Sequence, residues 1–337
     1  DLRQIFSITA PLSAIDSTYG AVPESLLTPD APSNPIAVSI GIDTITWDWH
    51  DNSDDEMGFN IWEDQGEGPA TTYQITQNPD IHSWSHSGLS TNTQYAFRVA
   101  AMNANGESEK TPNVCAWTLA VTPEAPEVFT PTGHSLCVSI SANTNPAYTL
   151  YALQISPTVN GNSWVQADGS LGTNAVFQTS TAWAIKNVTG LVEATAYILT
   201  TTAQNGAGTN TTAGPGTILS TLDITPPVIT RTGNASVTVE CDGNYSDAGA
   251  TVLDNFDPSV NVVVGGDTVD TSILGVYTVT YNARDDAGNN AVEVTRSVTI
   301  APKSLILTSP TGGESWTIGN TYTTTWTGAC VGSSIKM

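Results

Sequence analysis

With 337 residues, 39% of them apolar, the chain has material for several small hydrophobic cores, and its size alone suggests two or three domains. Nine Lys and Arg stand against 32 Asp and Glu, a formal charge of −23. A field of that sign repels phosphate backbones and anionic lipid, which disfavours nucleic acid and membrane surfaces as partners, and it suits divalent cations. No apolar run is long enough to cross a bilayer as a helix.

Helical patterning is missing throughout. Short runs rich in Val, Ile, Thr, Tyr and Trp alternate with Gly, Pro, Asn and Asp clusters, the pattern of an all-β chain of sandwiches in series. Residues 1–30 precede the first such unit. There Leu2, Phe6 and Ile8 share one face of a candidate strand, Arg3 and Ser7 the other, and Ile5 breaks the alternation. A chain beginning at Asp1 reads as a mature form with its leader removed, or as a cut made elsewhere.

The first unit spans 31–120. Its strand Ile45-Thr-Trp-Asp-Trp49 places Ile45, Trp47 and Trp49 on one face, and the turn and strand Asp51-Asn-Ser-Asp-Asp-Glu-Met-Gly-Phe-Asn-Ile61 follow. Later, Leu89-Ser-Thr-Asn-Thr-Gln-Tyr95 recurs with the same spacing as Leu191-Val-Glu-Ala-Thr-Ala-Tyr197 in a second unit, 121–222. Each tyrosine opens a strand (Tyr95, Phe97, Val99; Tyr197, Leu199) that runs into a Gly/Asn turn. A leucine six residues before such a tyrosine fits a tyrosine corner, in which the phenol bonds backbone while its ring closes the core. Both units resemble fibronectin type III modules, the first most specifically through its 51–61 loop and strand. That resemblance implies seven strands each. The second lacks an obvious core tryptophan in Cys137-Val-Ser-Ile-Ser141, and Thr-Pro-Glu-Ala-Pro at 122–126 reads as a short stiff joint.

A third unit, 223–301, begins around Pro226-Pro227. The runs at 237–240, 249–255, 261–264, 269–272 and 275–289 follow in order. In the last of them Tyr277, Val279, Tyr281 and Ala283 form the expected core face. Its Tyr-Thr-Val-Thr-Tyr strand and Asp-Ala-Gly-Asn turn resemble bacterial immunoglobulin-like repeats of the hyalin-repeat or surface-adhesin type, which implies a spacer or adhesive stalk. A fourth unit, 302–337, opens with Leu307-Thr-Ser-Pro-Thr-Gly-Gly-Glu-Ser-Trp316 and runs on to Trp326. It is similar to a sandwich module of yeast cell-wall glucan-assembly proteins, and is too short to close.

Chemistry is harder to find. No GxSxG, HExxH, phosphate loop or dinucleotide fingerprint occurs, so no enzyme is expected. His82 and His86, four apart in a strand or turn, read as a solvated edge and not as a zinc pair. Calcium is the candidate cofactor, because hard carboxylate oxygens crowd two places: Asp51, Asp54, Asp55 and Glu56 in one loop, and Asp254 and Asp257 in another, with Asp285 and Asp286 as further candidates. Capped turns, in which Asp and Asn bond their own backbone, are the competing reading. Of the four cysteines, Cys115 and Cys137 flank the first joint, where they either bridge it or sit as two small buried thiols. Core positions suit Trp47, Trp49, Trp117 and Trp326. Trp62, Trp84, Trp164 and Trp183 are candidates for partial exposure, at an interface or stacked on a glycan. Sequons occur at Asn187, Asn210, Asn234 and Asn244.

The expected function is therefore a structural component of an extracellular or cell-surface assembly (filament, surface layer or adhesin stalk). The alternative is an accessory or carbohydrate-binding region of a larger secreted hydrolase or adhesin. The expected partners are other copies of the chain, joined head to tail when residues 1–10 complete the open last unit, or other cell-surface components.

Overall fold

A computed structural model describes residues 27–328, which form two compact units: 27–130 with 135–190 and 197–219, and 131–134 with 191–196 and 220–328. Among them the only helix is one turn; all else is strand and loop. The candidate strand at Leu2–Ile8 and the final residues, Cys330 and Ile335 included, lie outside the described range.

The first sandwich contains β1 (Ser33–Ile40), β2 (Thr44–His50), β3 (Gly58–Gln65), β4 (Tyr73–Gln77), β5 (Ser83–Ser87), β6 (Gln94–Asn103), β7 (Gly106–Glu107) and β8 (Val114–Trp117). Strands β1-β2-β5 form one sheet. The order β4-β3-β6-β7 forms the other, with β8 also on β6, so the expected last strand is split in two. Period-2 alternation turns Ile45, Trp47 and Trp49 inward against Phe59, Ile61, Phe97 and Val99, all buried. Trp47 stacks on Phe97 with ring centroids 4.8 Å apart. Each fully buried Ile or Phe here contributes about 1.5–3 kcal/mol. The tyrosine corner is present: Ser90 N–H donates to the Tyr95 hydroxyl at 2.8 Å.

On β3 the inward series Phe59, Ile61 ends in a carboxylate, Glu63. It accepts the Trp47 indole N–H at 2.6 Å and pairs with His86 Nδ1, so the buried group has both its partners on the facing sheet. His86 is thus a half-buried bridge between sheets, not the solvated edge its spacing suggested. His82 instead pairs with Asp48 at 3.0 Å.

At the next turn Asp64 accepts hydrogen bonds from Thr72 and Thr71, which hold its carboxyl down at about 2. A depressed folded value stabilises the fold above the unfolded value and is lost as the group protonates. The gap in melting temperature between the wild type and Asp64→Asn should therefore be full at neutral pH and close as pH falls from about 4 to about 2.

The second sandwich comprises β9 (Glu127–Phe129), β10 (Ser135–Ser139), β11 (Leu150–Val159), β12 (Asn162–Val165), β13 (Leu171–Gly172), β14 (Gln178–Thr179), helix α1 (Ser180–Trp183), β15 (Lys186–Thr189), β16 (Ala196–Gln204) and β17 (Thr217–Ser220). Its sheets run β15-β10-β9 and β13-β12-β11-β16-β17, with β14 also on β11. The extra β12–β13 hairpin and α1 exceed the expected seven strands. Thr179 caps α1 by accepting the Ala182 N–H at 3.2 Å, and the turn ends at Ala184 with φ 47°. This single turn points Trp183 into the core, fully buried, where its indole N–H donates to Tyr151 O at 2.7 Å. The missing core tryptophan thus comes from a helix and not from a strand.

Trp183 and Trp62 are both buried, which removes two of the four rings expected to be partly exposed. Nor do Cys115 and Cys137 bridge or bury. Both are free thiols, one exposed and one half-buried, because each precedes an inward residue (Ala116, Val138) and so points outward. Cys241 is disulfide-bonded.

The joint between these two sandwiches lies within one compact unit and is built of buried polar groups. Asn92, only 1% exposed, donates to Thr149 Oγ1 at 2.8 Å, and its Oδ1 accepts the Gly206 N–H at 2.8 Å. Its backbone carbonyl accepts the Tyr148 hydroxyl at 2.7 Å. Asn205 donates to Thr118 O at 3.1 Å, and Asn145 both accepts from Val121 N and donates to Val121 O. Trp117 does not fill a core; half-buried, it meets Tyr148 edge-on. A Cβ on Gly206 would lie 2.4 Å from its ring, so only glycine fits.

The third sandwich contains β18 (Val228–Arg231), β19 (Ser236–Glu240), β20 (Ala250–Leu253), β21 (Val263–Gly266), β22 (Gly275–Asn282) and β23 (Val294–Ala301). Strands β18 and β20 pair. Strands β19-β23-β22-β21 form the second sheet, with β19 and β23 parallel. The run at 269–272 is a loop, where Asp270 takes its hydrogen bonds from Ser272. Val279, Tyr281 and Ala283 are buried and Tyr277 is partly so. Arg296 also faces inward on β23. It pairs with Asp247, which accepts the Tyr281 hydroxyl at 2.7 Å and the Tyr245 hydroxyl at 3.1 Å. Burial, and then Asp247, push the Tyr281 phenol up to about 12.

Among the described residues of the fourth unit, β24 (Ile306–Ser309) and β25 (Thr325–Thr327) pair. Between them Thr317 N–H donates to the Tyr322 hydroxyl at 2.7 Å. Trp316-x5-Tyr322 therefore repeats the Leu89-x5-Tyr95 corner.

Candidate metal centres

The acidic β2–β3 loop folds on its own side chains. Ser53 N–H donates to Asp51 Oδ1 at 3.1 Å and the Ser53 hydroxyl to Asp55 Oδ1 at 2.8 Å, while Asn103 reaches Asp55 Oδ2 at 3.1 Å. Asn52 donates to Ala31 O at 2.7 Å, fastening the loop to the incoming chain. These bonds use up Asp55 in turn formation and leave Asp54 exposed. Asp51 and Glu56 instead converge with Asp80, from the β4–β5 loop, so that one carboxylate oxygen of each lies within 4.8 Å of the others. Glu56 Oε1 accepts the Asp80 N–H at 3.4 Å; Glu56 Oε2 is buried and has no hydrogen-bond partner.

A second group forms from Asp223, Asp254 and Asp285, again with one oxygen of each within 4.8 Å. Asp223 belongs to the linker before β18, Asp254 follows β20 and Asp285 follows β22. Asp254 Oδ1 caps its turn by accepting the Phe256 and Asp257 N–H groups at 2.9 and 2.8 Å, while its Oδ2 is buried without a partner. Asp285 is buried. Burial alone would raise its carboxyl, but hydrogen bonds from the Asn289 side chain and backbone and from Gly288 N outweigh it and hold the group below the ordinary value. Asn289 also donates to Asp223 O at 3.3 Å. Asp257 stands outside the group and accepts from Ser259 and from Asp286 N.

Both groups sit where the chain enters a sandwich. In the first, β2 and β4 end and β3 begins beside the incoming residues Leu27 and Ala31, whose carbonyls accept from Asn103 and Asn52. In the third, the entering linker supplies Asp223 itself. Sequence reading found Asp51, Glu56 and Asp254 as candidates and Asp285 as a further one. It missed Asp80 and Asp223, which come from a distant turn and a linker. Chemically, three carboxylates at this spacing are a set of hard oxygen donors, and each group could coordinate a metal ion.

Two families match parts of the chain: "Fibronectin type III domain" over residues 30–116 and "Bacterial surface protein, Ig-like domain" over 229–300. Neither reaches the last unit, and the likeness to glucan-assembly proteins is unsupported. No protein of curated function matches. Among solved structures, a two-domain fibronectin type III segment of chicken tenascin is 16% identical, covers 57% of this chain and 100% of its own, and superposes with a TM-score of 0.41. The FN1–FN3 domains of chicken CNTN1 are 17% identical over 58% and 68%, with a TM-score of 0.27. These modules are non-catalytic scaffolds of extracellular and cell-surface proteins, and the chain has the multidomain architecture of structural and adhesive ones.

Proposed function

We propose that this chain is a stalk segment of an extracellular structural or adhesive assembly, a stiff spacer whose acidic groups take calcium. The observation that carries the reading is the joint between the first two sandwiches. A spacer must resist bending, and bending resistance comes from a joint whose polar groups are satisfied only in one arrangement. Asn92 uses both side-chain atoms and its carbonyl in that joint, so each bond lost on bending leaves a buried polar group unpaired, at about 1–3 kcal/mol apiece. Support for calcium comes from the charge of −23, which raises the local cation concentration, and from the two carboxylate groups.

The test uses the full chain with Cys115 and Cys137 replaced by Ser and spin labels at the exposed positions Val38 and Ile185. Pulsed electron paramagnetic resonance should give one narrow distance distribution. Asn92→Ala should broaden it while leaving both sandwiches folded by circular dichroism. A broad distribution in the parent chain would remove the stalk reading.

A further inference from the structure

We propose that Asp51, Glu56 and Asp80 form a built calcium site that couples the order of the first sandwich's N-terminal pole to external calcium. The proposal rests on the calcium reading above and names the site and what it regulates. Its foundation is Glu56. A buried carboxylate oxygen normally has a donor, since burying it bare costs more than any fold can spare lightly. Glu56 Oε2 is buried and has none, and one carboxylate oxygen of Glu56 lies within 4.8 Å of an oxygen of Asp51 and of Asp80. Among the described residues no Lys, Arg or His forms an ion pair with any of the three; His82, which feels the Asp51 charge, is paired with Asp48. Three like charges at this separation repel one another, and a cation between them reverses the sign of every term.

The geometry favours calcium over magnesium. Donors come from two separate loops, one buried, one half-buried and one exposed, which suits an ion that accepts irregular shells of six to eight oxygens and completes them with water. Magnesium requires near-ideal octahedral placement and gives up its waters reluctantly. Binding would tie the β2–β3 loop to the β4–β5 loop. Through Asn52 and Asp55 it would also fix residue 31 and the 103–105 turn against the same pole. Calcium thereby sets whether the incoming chain is held. With three carboxylates, affinity should fall in the range of extracellular modules, on the order of 10⁻⁴ to 10⁻³ M.

The experiment is calorimetric titration of chelator-treated full chain with calcium chloride, with hydrogen exchange of the Ser53 and Asp80 amides as a second readout. Glu56→Gln and Asp80→Asn should each weaken this site by about tenfold or more and abolish calcium-dependent slowing of both amides. Asp54→Asn should leave both readouts unchanged. Asp80 is exposed, so its variant keeps the test independent of any folding defect at Glu56. If Glu56→Gln and Asp80→Asn bind and protect like wild type while Asp254→Asn loses the heat, the site assignment falls and the calcium reading stands. If wild type shows no heat at about 10 mM calcium, both fall.

Discussion

Asp247→Ala should lower the stability of the third sandwich by about 3–5 kcal/mol, read as a shift in its chemical-denaturation midpoint. The reason lies in what remains. Arg296 is 2% exposed and its guanidinium pairs with Asp247 while bonding the carbonyls of Thr232 and Gly249. Its Nε has no partner already. Removing the carboxylate strands a buried cation and leaves the Tyr281 and Tyr245 hydroxyls without their acceptor. The change is therefore costlier than the value of the pair itself, because two ions taken out of water together nearly break even. Replacing both, Asp247→Ala with Arg296→Met, should recover most of the loss by restoring an apolar contact with the Tyr281 ring. A double variant no more stable than Asp247→Ala alone would mean that the network and not the stranded charge carries the energy.

That network marks a boundary of what residue patterns convey. Alternation along β23 turns Arg296, Val298 and Ile300 to one face, so an inward arginine is implied by the same rule that buries Val279 and Tyr281. Its partner is not implied, since Asp247 comes from a loop that only the closed sandwich brings near. The acidic groups behave likewise. Asp51 and Glu56 are neighbours in sequence and visible as a cluster, whereas Asp80 and Asp223 join through tertiary closure of loops with no periodicity to read. Local density also misleads: Asp54, Asp55 and Asp257 are as close in sequence as the converging residues, yet Asp54 stays exposed while Ser53 and Ser259 engage the other two. The tyrosine corner at Tyr95 was legible because one turn contains the whole device, phenol and backbone N–H five residues apart. The same locality made the joint at 122–126 visible as prolines while hiding its stronger half, the contacts of Asn92, Asn205 and Trp117 across two sandwiches.

Trp183→Ala should be the most damaging single change in the second sandwich, costing about 3–5 kcal/mol. No strand of that module supplies a core tryptophan, and the inward residues of its smaller sheet, Leu136, Val138 and Val188, are aliphatic. The space they leave is filled by one indole delivered from a four-residue helix, a helix far too short to persist without tertiary contacts. Its capping bond from Ala182 to Thr179 is worth about 1 kcal/mol and cannot hold the turn alone. Substitution thus removes the largest buried side chain of this core, leaves the Tyr151 carbonyl without its donor and frees α1 to unfold. Trp183→Phe should separate these contributions: it keeps most of the volume and loses the hydrogen bond, so it should cost well under half as much as Ala. Denaturant melts of the full chain, followed by hydrogen exchange at Leu153 and Leu199, would report the second sandwich specifically. Equal loss of protection in Phe and Ala variants would show that the indole N–H bond to Tyr151, and not filled volume, is what holds the module closed.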